Sequence, residues 1–138
     1  MSIRFFSQNI RFSLKKKSVA RKLFLSIIRK EKKNVEDVNF IFCNDKFLLS
    51  LNKKFLKHST LTDIISFQYP SGKKLYGEIF ISIPRVKENA KKFDVSFENE
   101  LHRVMIHGIL HLCGYKDKTA KDKKEMRKKE DYYMKCLK

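Results

Sequence analysis

The sequence contains few of the residues that form interdomain linkers or disulfide cross-links. Its 138 residues include four glycines, two prolines and no tryptophan. No segment rich in proline, glycine or serine separates two parts, so we expect one domain over residues 1–138. The three cysteines, Cys43, Cys113 and Cys136, are odd in number and never spaced as Cys-x-x-Cys. They predict free, reduced thiols rather than a disulfide framework.

Long apolar runs are also missing. No stretch approaches the ~20 apolar residues that a membrane-spanning helix needs. The N-terminus lacks the uninterrupted apolar segment and the small-residue cleavage site of a signal peptide. These absences predict a cytoplasmic protein with no membrane partner.

Acidic residues are scarce. There are 15 Asp and Glu against 32 Lys and Arg, which gives a net charge of +17. A field of this sign favours polyanions such as RNA, although a lysine-rich composition without function gives the same count. Hydrophobic residues make up 42% of the chain and include twelve phenylalanines. That proportion is sufficient to form one hydrophobic core without stabilisation by disulfide bonds.

Two basic segments are candidate contacts for an RNA backbone. The first comprises Lys15–Lys17 with Arg21 and Lys22, and the second covers residues 121–129. Runs of charge are more often solvated faces, so this remains a hypothesis. Two aromatic residues are candidates for stacking on bases, with a place in the core as the alternative: Phe55 and Tyr69.

The hydrophobic periodicity predicts four strands and five helices. We expect the strands at residues 3–9, 38–43, 63–69 and 77–83. We expect the helices to run from a cap at Ser13 to about residue 33, from a cap at Asn44 or Asp45 to Phe55, from Pro84 to Phe93, from a cap at Ser96 to Gly114, and from Ala120 to Leu137. The thin apolar stripe of the last helix comprises Met126, Tyr133 and Leu137. Strands that cluster early and helices that cluster late indicate the α+β class.

Two histidines lie four residues apart in an apolar helical segment, His107 and His111. Their imidazoles project from one face of the helix. Most such pairs are surface or core histidines, but a buried imidazole needs a partner. The next residue able to ligate a metal is Asp117, which follows a turn at Gly114 and Tyr115. Two imidazoles and a carboxylate predict one zinc ion per chain, with a position left for water.

A metal site of this kind also needs a group that moves protons. Metalloproteases carry a glutamate directly after the first histidine, but Gly108 stands there and is expected to leave open space beside the metal. Glu100 lies on the helical face of His107 and is the candidate catalytic acid or base. Glu78 is a weaker candidate, and either residue could instead be a hydrogen-bond partner of a histidine or a solvated acid. Asp117 has a competitor as third ligand in Asp122.

The segment from His107 to Tyr115 resembles the signature of the YbeY family, bacterial endoribonucleases that cut single-stranded RNA. That signature is His-Gly-x-Leu-His-Leu-x-Gly-Tyr-Asp-His. This chain differs after the tyrosine, because Lys116 replaces the aspartate and Asp117 replaces the third histidine.

Three upstream segments resemble other blocks of the same family: residues 51–55, 62–67 and 77–82. The family's Leu-Asn-x-x-Tyr-Arg block places its arginine, which is associated with catalysis, at the position of Leu56. The resemblance extends from about the second strand to the end of the histidine helix.

The resemblance implies a four-stranded mixed sheet surrounded by about five helices, with the metal at the end of the histidine helix. It implies a zinc-dependent endoribonuclease that acts on single-stranded RNA in maturation of the 3′ end of 16S rRNA, and in ribosome assembly and quality control. The ribosomal small subunit is then the partner, and His107 and His111 serve catalysis. The rival hypothesis, which Leu56 supports, is a non-catalytic, metal-stabilised RNA-binding assembly factor. A metalloprotease-like hydrolase is disfavoured by Gly108 and by the charge.

Overall fold

Four segments rich in branched and aromatic side chains form strands, as their β propensity predicts. The computed structural model describes residues 2–56 and 61–137. The strands are β1 (Ser2–Ser7), β2 (Asn34–Cys43), β3 (Ile64–Gln68) and β4 (Lys74–Ser82). The helices are α1 (Lys17–Lys30), α2 (Asp45–Leu56), α3 (Ile83–Lys92), α4 (Phe97–Leu112) and α5 (Ala120–Met134), followed by a 3₁₀ turn (Lys135–Leu137). The predicted α+β class is confirmed.

The sheet has the order β1-β2-β4-β3 and is mixed. The pairs β1–β2 and β2–β4 are parallel, whereas β3 runs antiparallel to β4. A turn joins β3 to β4. Gly72 adopts φ +59° there, and the Lys74 N–H donates to the Ser71 carbonyl over 3.1 Å. Because β3 is last in the strand order, it is an edge strand.

One face of the sheet packs against α1 and α4. Phe24, Phe40, Ile79, Met105 and Ile109 are fully buried in this main core. Helix α2 covers part of the other face. Because neighbouring residues of a strand point to opposite faces, Ile65 and Phe80 contact α2 rather than the main core. Over the described residues, 2–56 and 61–137, no helix is long and apolar enough to span a membrane.

Local caps begin the helices that surround the site. The Ser96 hydroxyl accepts from the Asn99 N–H over 3.0 Å, so α4 begins where the sequence predicts. Likewise Asn44 caps α2 through the Phe47 N–H over 2.8 Å. Thr119 caps α5 in a capping box.

The histidine helix ends as predicted. Gly114 has φ +112°, a conformation that L residues rarely adopt. The Tyr115 N–H donates to the Leu110 carbonyl and the Gly114 N–H to the His111 carbonyl, each over 3.1 Å. These two bonds form a Schellman motif, which reverses the chain immediately after His111 and directs it towards Asp117.

Several predicted boundaries were wrong. Helix α1 is not capped by Ser13; it begins at Lys17, after Lys16 adopts a left-handed conformation with φ 54°. Strand β2 begins at Asn34, because its pairing with β4 continues through a bulge. Helix α5 ends at Met134, and the side chain of Leu137 lies outside the described residues.

Candidate active site

A cleft of about 860 Å³ lies along α4, beside the edge strand β3. The ionisable side chains that line it belong to several elements. They are Asp63, Glu100, Arg103, His107, His111, Asp117, Lys123, Arg127 and Glu130. All the predicted site residues, Glu100, His107, His111 and Asp117, therefore face one cleft.

His107 is held between two carboxylates. Its Nδ1 lies 2.6 Å from Glu130 Oε2, and its Nε2 lies 3.7 Å from Asp117 Oδ2. Burial alone would lower the pKa of His107. The hydrogen bond to Glu130 and the charges of Glu130, Asp117 and Asp63 outweigh it and raise that pKa above the ordinary 6.5. A carboxylate accepts, so Nδ1–H donates to Glu130, and Nε2 is the ring nitrogen on the side of Asp117.

His111 lies one helical turn further along α4 and is exposed at the cleft. Partial desolvation, followed by the charge of His107, lowers the pKa of its imidazole below 6.5. The ring is therefore neutral at pH 7. A neutral imidazole is the form that ligates a metal.

The donor set suits zinc chemically, since zinc accepts imidazole nitrogen and carboxylate oxygen. Two ligands of a tetrahedral zinc ion lie about 3.3 Å apart, as follows from bonds of about 2.0 Å. The 3.7 Å between His107 Nε2 and Asp117 Oδ2 is close to that separation. Among residues 2–56 and 61–137, however, no three His, Cys, Asp or Glu side chains form a group that could hold a metal ion. The zinc site thus remains a prediction.

Glu130 was missed by the sequence analysis. It is buried in α5, 23 residues after His107, and no local pattern marks it. It also accepts from Arg103 Nη1 over 3.3 Å, and Arg103 Nη2 lies 2.9 Å from Asp131. These ion pairs fix α5 against α4, so that Glu130 keeps its contact with His107.

Two further carboxyl groups, Glu100 and Asp63, line the cleft. Burial, and then the charge of Asp63, raises the pKa of Glu100 above 4.5. Burial also raises the pKa of Asp63 above 3.8. Asp63 was not predicted as a site residue; its only sequence signal is the block of residues 62–67. The sequence placed Glu100 correctly on the helical face of His107.

Gly108 does not provide the expected open space beside the metal. It is buried, and a Cβ built on it would lie 2.8 Å from Ile79 Cγ2 and 3.0 Å from Ile64 Cδ1. The missing side chain instead allows α4 to approach the sheet closely. Gly108 still provides no carboxylate at the position where metalloproteases carry their general base.

Several weaker candidates lie outside the lining of the cleft. Glu78 accepts from the Tyr69 hydroxyl over 2.6 Å, and Phe55 packs edge-on against Phe67. Asp122 closes the capping box of α5 with Thr119, which removes it as an alternative ligand in this conformation.

The basic segments contribute little to the cleft. Arg21 donates to the Ile3 carbonyl over 2.9 Å, and none of Lys15–Lys17, Arg21 and Lys22 lines the cleft. From residues 121–129, only Lys123 and Arg127 bring a positive charge to it.

Leu56, which occupies the position of the family's arginine, is the last residue of α2. Its side chain is 44% exposed and lines the cleft. A longer side chain at this position can therefore extend towards the histidines without entering the core.

Comparison with known proteins identifies one family. The family model described as endoribonuclease YbeY matches residues 3–138. A curated Flavobacterium psychrophilum protein of that name is 48% identical over 132 residues, which cover 96% of this chain and 94% of the relative. Its Flavobacterium johnsoniae counterpart is 49% identical over 126 residues, or 91% of each chain. A solution structure of a Thermotoga maritima protein superposes with a TM-score of 0.69 at 32% identity, covering 99% of this chain and 89% of the other.

Proposed function

Since this chain belongs to the endoribonuclease YbeY family, we propose that it is a zinc-dependent endoribonuclease acting on single-stranded RNA. The observation that carries the proposal is that His107, His111 and Asp117 all line one cleft. The names of its relatives support nuclease activity. The metal, the substrate class and the cellular role are further parts of this proposal.

His107, His111 and Asp117 are the proposed ligands of one zinc ion per chain. A bound zinc ion would supply a more acidic water and polarise a phosphate oxygen. Glu130 holds His107 in the tautomer whose Nε2 is free to ligate. Asp117 adds a negative charge that three imidazoles would not, so the bound water is expected to be less acidic than in a three-histidine site.

Glu100 is the proposed proton carrier. Its buried carboxyl group has a raised pKa and faces the same cleft as the histidines. A carboxyl group with a raised pKa accepts and releases a proton closer to neutral pH than an ordinary glutamate does. Asp63 supports that tuning through its charge.

The substrate and partner follow from charge and from family. A net charge of +17 favours a polyanion. We propose maturation of the 3′ end of 16S rRNA, together with ribosome assembly and quality control on the small subunit, as the cellular role. The chain is proposed to work in the cytoplasm.

One observation favours a second candidate function. Leu56 presents an apolar side chain to the cleft where the family has an arginine. Without that cation, the protein could serve as a non-catalytic, metal-stabilised assembly factor that binds RNA.

The deciding experiment is an RNA-cleavage assay with purified, zinc-loaded protein and a single-stranded substrate. Cleavage that is lost in His111→Ala and inhibited by a chelator supports the nuclease. Elemental analysis should show about one zinc per chain, and much less in a His107→Ala/His111→Ala variant, as a single site requires. Tight RNA binding without cleavage would favour the assembly factor.

A further inference from the structure

Phe93 is an exposed aromatic residue in the cleft. It follows α3 directly, and 57% of its surface is exposed, yet it lines the same cleft as His107. An exposed phenylalanine keeps a large apolar surface in contact with water. Its ring is therefore available to a ligand that enters the cleft.

Backbone hydrogen bonds hold the main chain at Phe93, whose N–H donates to the Asn89 carbonyl over 2.9 Å, and Lys92 Nζ lies 6.0 Å from the centroid of its ring. Asp94 adopts a left-handed conformation with φ 56°, which is uncommon for a residue other than glycine. The Val95 N–H donates to the Ala90 carbonyl over 3.0 Å, and the Asp94 N–H to the Lys91 carbonyl over 3.2 Å. These bonds end α3 firmly, so the ring is presented from a fixed point.

Two cations reach the cleft from α5. Lys123 and Arg127 lie one helical turn apart and both line the cleft. The Arg127 side chain is 66% exposed, and its Nη1 lies 4.0 Å from Glu130 Oε1. Glu130 already accepts from Arg103 and His107 at shorter distances. Arg127 therefore keeps donors free for an anion.

Helix α4 packs against both α3 and α5. Phe93 and the pair Lys123 and Arg127 thus approach the histidines from different helices. A planar apolar group and two cations that line one cleft match single-stranded nucleic acid, which carries flat bases along a charged backbone. An apolar protein segment would match Phe93 but not the cations.

Building on the proposed function, we propose that Phe93 stacks on one base of the bound RNA while Arg127 and Lys123 hold its phosphates. Stacking on an aromatic ring accepts every base, so Phe93 positions the strand without selecting a sequence. The cations direct the backbone past the histidines. Phe93, Lys123 and Arg127 are positioning residues for the proposed reaction.

The first test measures the affinity of the zinc-loaded protein for a short single-stranded oligoribonucleotide, over times in which a gel shows the strand to be intact. Phe93→Ala should weaken binding about five- to tenfold, the lower range for loss of one stacked base. Phe93→Trp should restore it, which also excludes misfolding as the cause. Phe6→Ala is the matched control, because Phe6 is exposed on β1 and does not line the cleft.

The second test separates stacking from charge. Arg127→Ala and Lys123→Ala should each flatten the dependence of log affinity on log salt by about 0.7, the value for one phosphate contact on a single strand. Phe93→Ala should leave that slope unchanged. Arg29→Ala removes a positive charge from an exposed position outside the cleft and should change neither affinity nor slope.

The outcomes separate this inference from the proposed function. If the wild-type protein binds and cleaves RNA but Phe93→Ala binds as tightly as Phe6→Ala, only the stacking inference is wrong. It also fails if Phe93→Trp does not restore the affinity. If the wild-type protein neither binds nor cleaves single-stranded RNA, the proposed function fails, and this inference fails with it.

Discussion

Glu130 determines how His107 can act. A histidine can ligate a metal through either of its ring nitrogens, Nδ1 or Nε2. The 2.6 Å contact with Glu130 occupies Nδ1 and leaves Nε2 for the cleft. The same carboxylate accepts from Arg103, so its charge is compensated on the buried side.

Leu56→Arg should raise the rate of RNA cleavage. Leu56 lines the cleft and is partly exposed, so an arginine can be accommodated without disturbing the core. A cation there would stabilise charge that develops on the phosphate, and we expect a gain of about tenfold or more in kcat. Zinc content should not change. Leu56→Met is the control, and an arginine variant that is folded but no faster than Leu56→Met would show that another group already supplies the charge.

Asp117→Ala should weaken zinc binding by more than about a hundredfold, because loss of a hydrogen-bond partner behind a ligand already costs about 10- to 100-fold. Asp117→His should restore tight binding, because imidazole suits zinc as well as carboxylate does. The histidine variant should also shift any hydrolytic pH profile to lower pH, because a neutral ligand leaves the bound water more acidic. Competition with a chromophoric chelator measures the affinities.

Asp122→Ala is the matched control for Asp117, since it removes a carboxylate that caps α5 rather than facing the cleft. It should retain the zinc affinity and lose about 1 kcal/mol of stability with its cap. Zinc loss in this variant, combined with normal affinity in Asp117→Ala, would show that the wrong carboxylate was chosen.

At the residue scale, local rules predicted local features. Ser96 and Gly114 could be assigned because a cap and a left-handed residue depend on nearby backbone. Glu100 could be placed because helical periodicity relates it to His107. Glu130 and Asp63 could not be assigned, since their contacts with the site arise only when distant elements pack together.

Among the elements, α5 depends most on polar contacts. Its buried side chains are Met126, Glu130 and Tyr133. Glu31, at the end of α1, accepts from the hydroxyls of Tyr133 and Tyr115 and from Lys129. Burial would raise the pKa of Glu31, but these hydrogen bonds and the charge of Lys129 lower it below 4.5. One carboxylate thus joins α1, α5 and the turn after the histidine helix.

Glu31→Gln should destabilise the protein by about 1.5–3 kcal/mol at pH 7, the range for hydrogen bonds to a charged group. The lowered pKa in the folded state means that this stabilisation is present above pH 4.5 and is lost as the pH falls through the folded-state pKa. The difference in the free energy of unfolding between variant and wild type should therefore become smaller below pH 4.5. Urea unfolding at several pH values measures it.

Glu36→Gln provides the comparison, because Glu36 is exposed and its partner Lys74 lies 3.7 Å away. That substitution should cost less than about 1 kcal/mol. A Glu31→Gln variant that is no less stable than Glu36→Gln would mean that the tyrosines find equivalent partners.

Element type could be predicted better than element boundaries. The apolar stripe of α1 predicts a helix, but nothing in the sequence marks Lys16 as left-handed, so the start was placed too early. The early part of β2 carries charged residues and a bulge, which obscure its alternation.

On the scale of the whole molecule, the charge distribution is uneven. The chain carries +17, yet four carboxylates line the cleft: Asp63, Glu100, Asp117 and Glu130. The surface therefore attracts polyanions. Within the cleft the carboxylates favour a metal ion, while Arg103, Lys123 and Arg127 supply positive charge for phosphates. The mixed strand order could not be derived from periodicity, because it depends on crossover connections between strands. The family resemblance implied a mixed sheet of four strands but gave no order for them.

Moderate salt should stabilise the free protein. Repulsion among its positive charges is screened as sodium chloride rises from about 0.05 M to about 0.5 M. A gain of about 1 kcal/mol corresponds to a rise of about 3 °C in Tm for a chain of this size. Glutamine substitutions that remove four positive charges should raise Tm at low salt and make Tm less dependent on salt. The four residues are Lys118, Lys121, Lys124 and Lys128. A Tm that falls with salt would show that ion pairs dominate instead.

The polar attachment of α5 has a consequence for heat inactivation. Helices with little buried apolar surface open locally before the whole protein unfolds. Detachment of α5 would withdraw Glu130, Arg127 and Lys123 from the cleft together, while the sheet and α4 remained intact. The enzyme should therefore lose its activity reversibly at temperatures below its melting transition, and amide hydrogens of α5 should exchange with solvent earlier than those of α4.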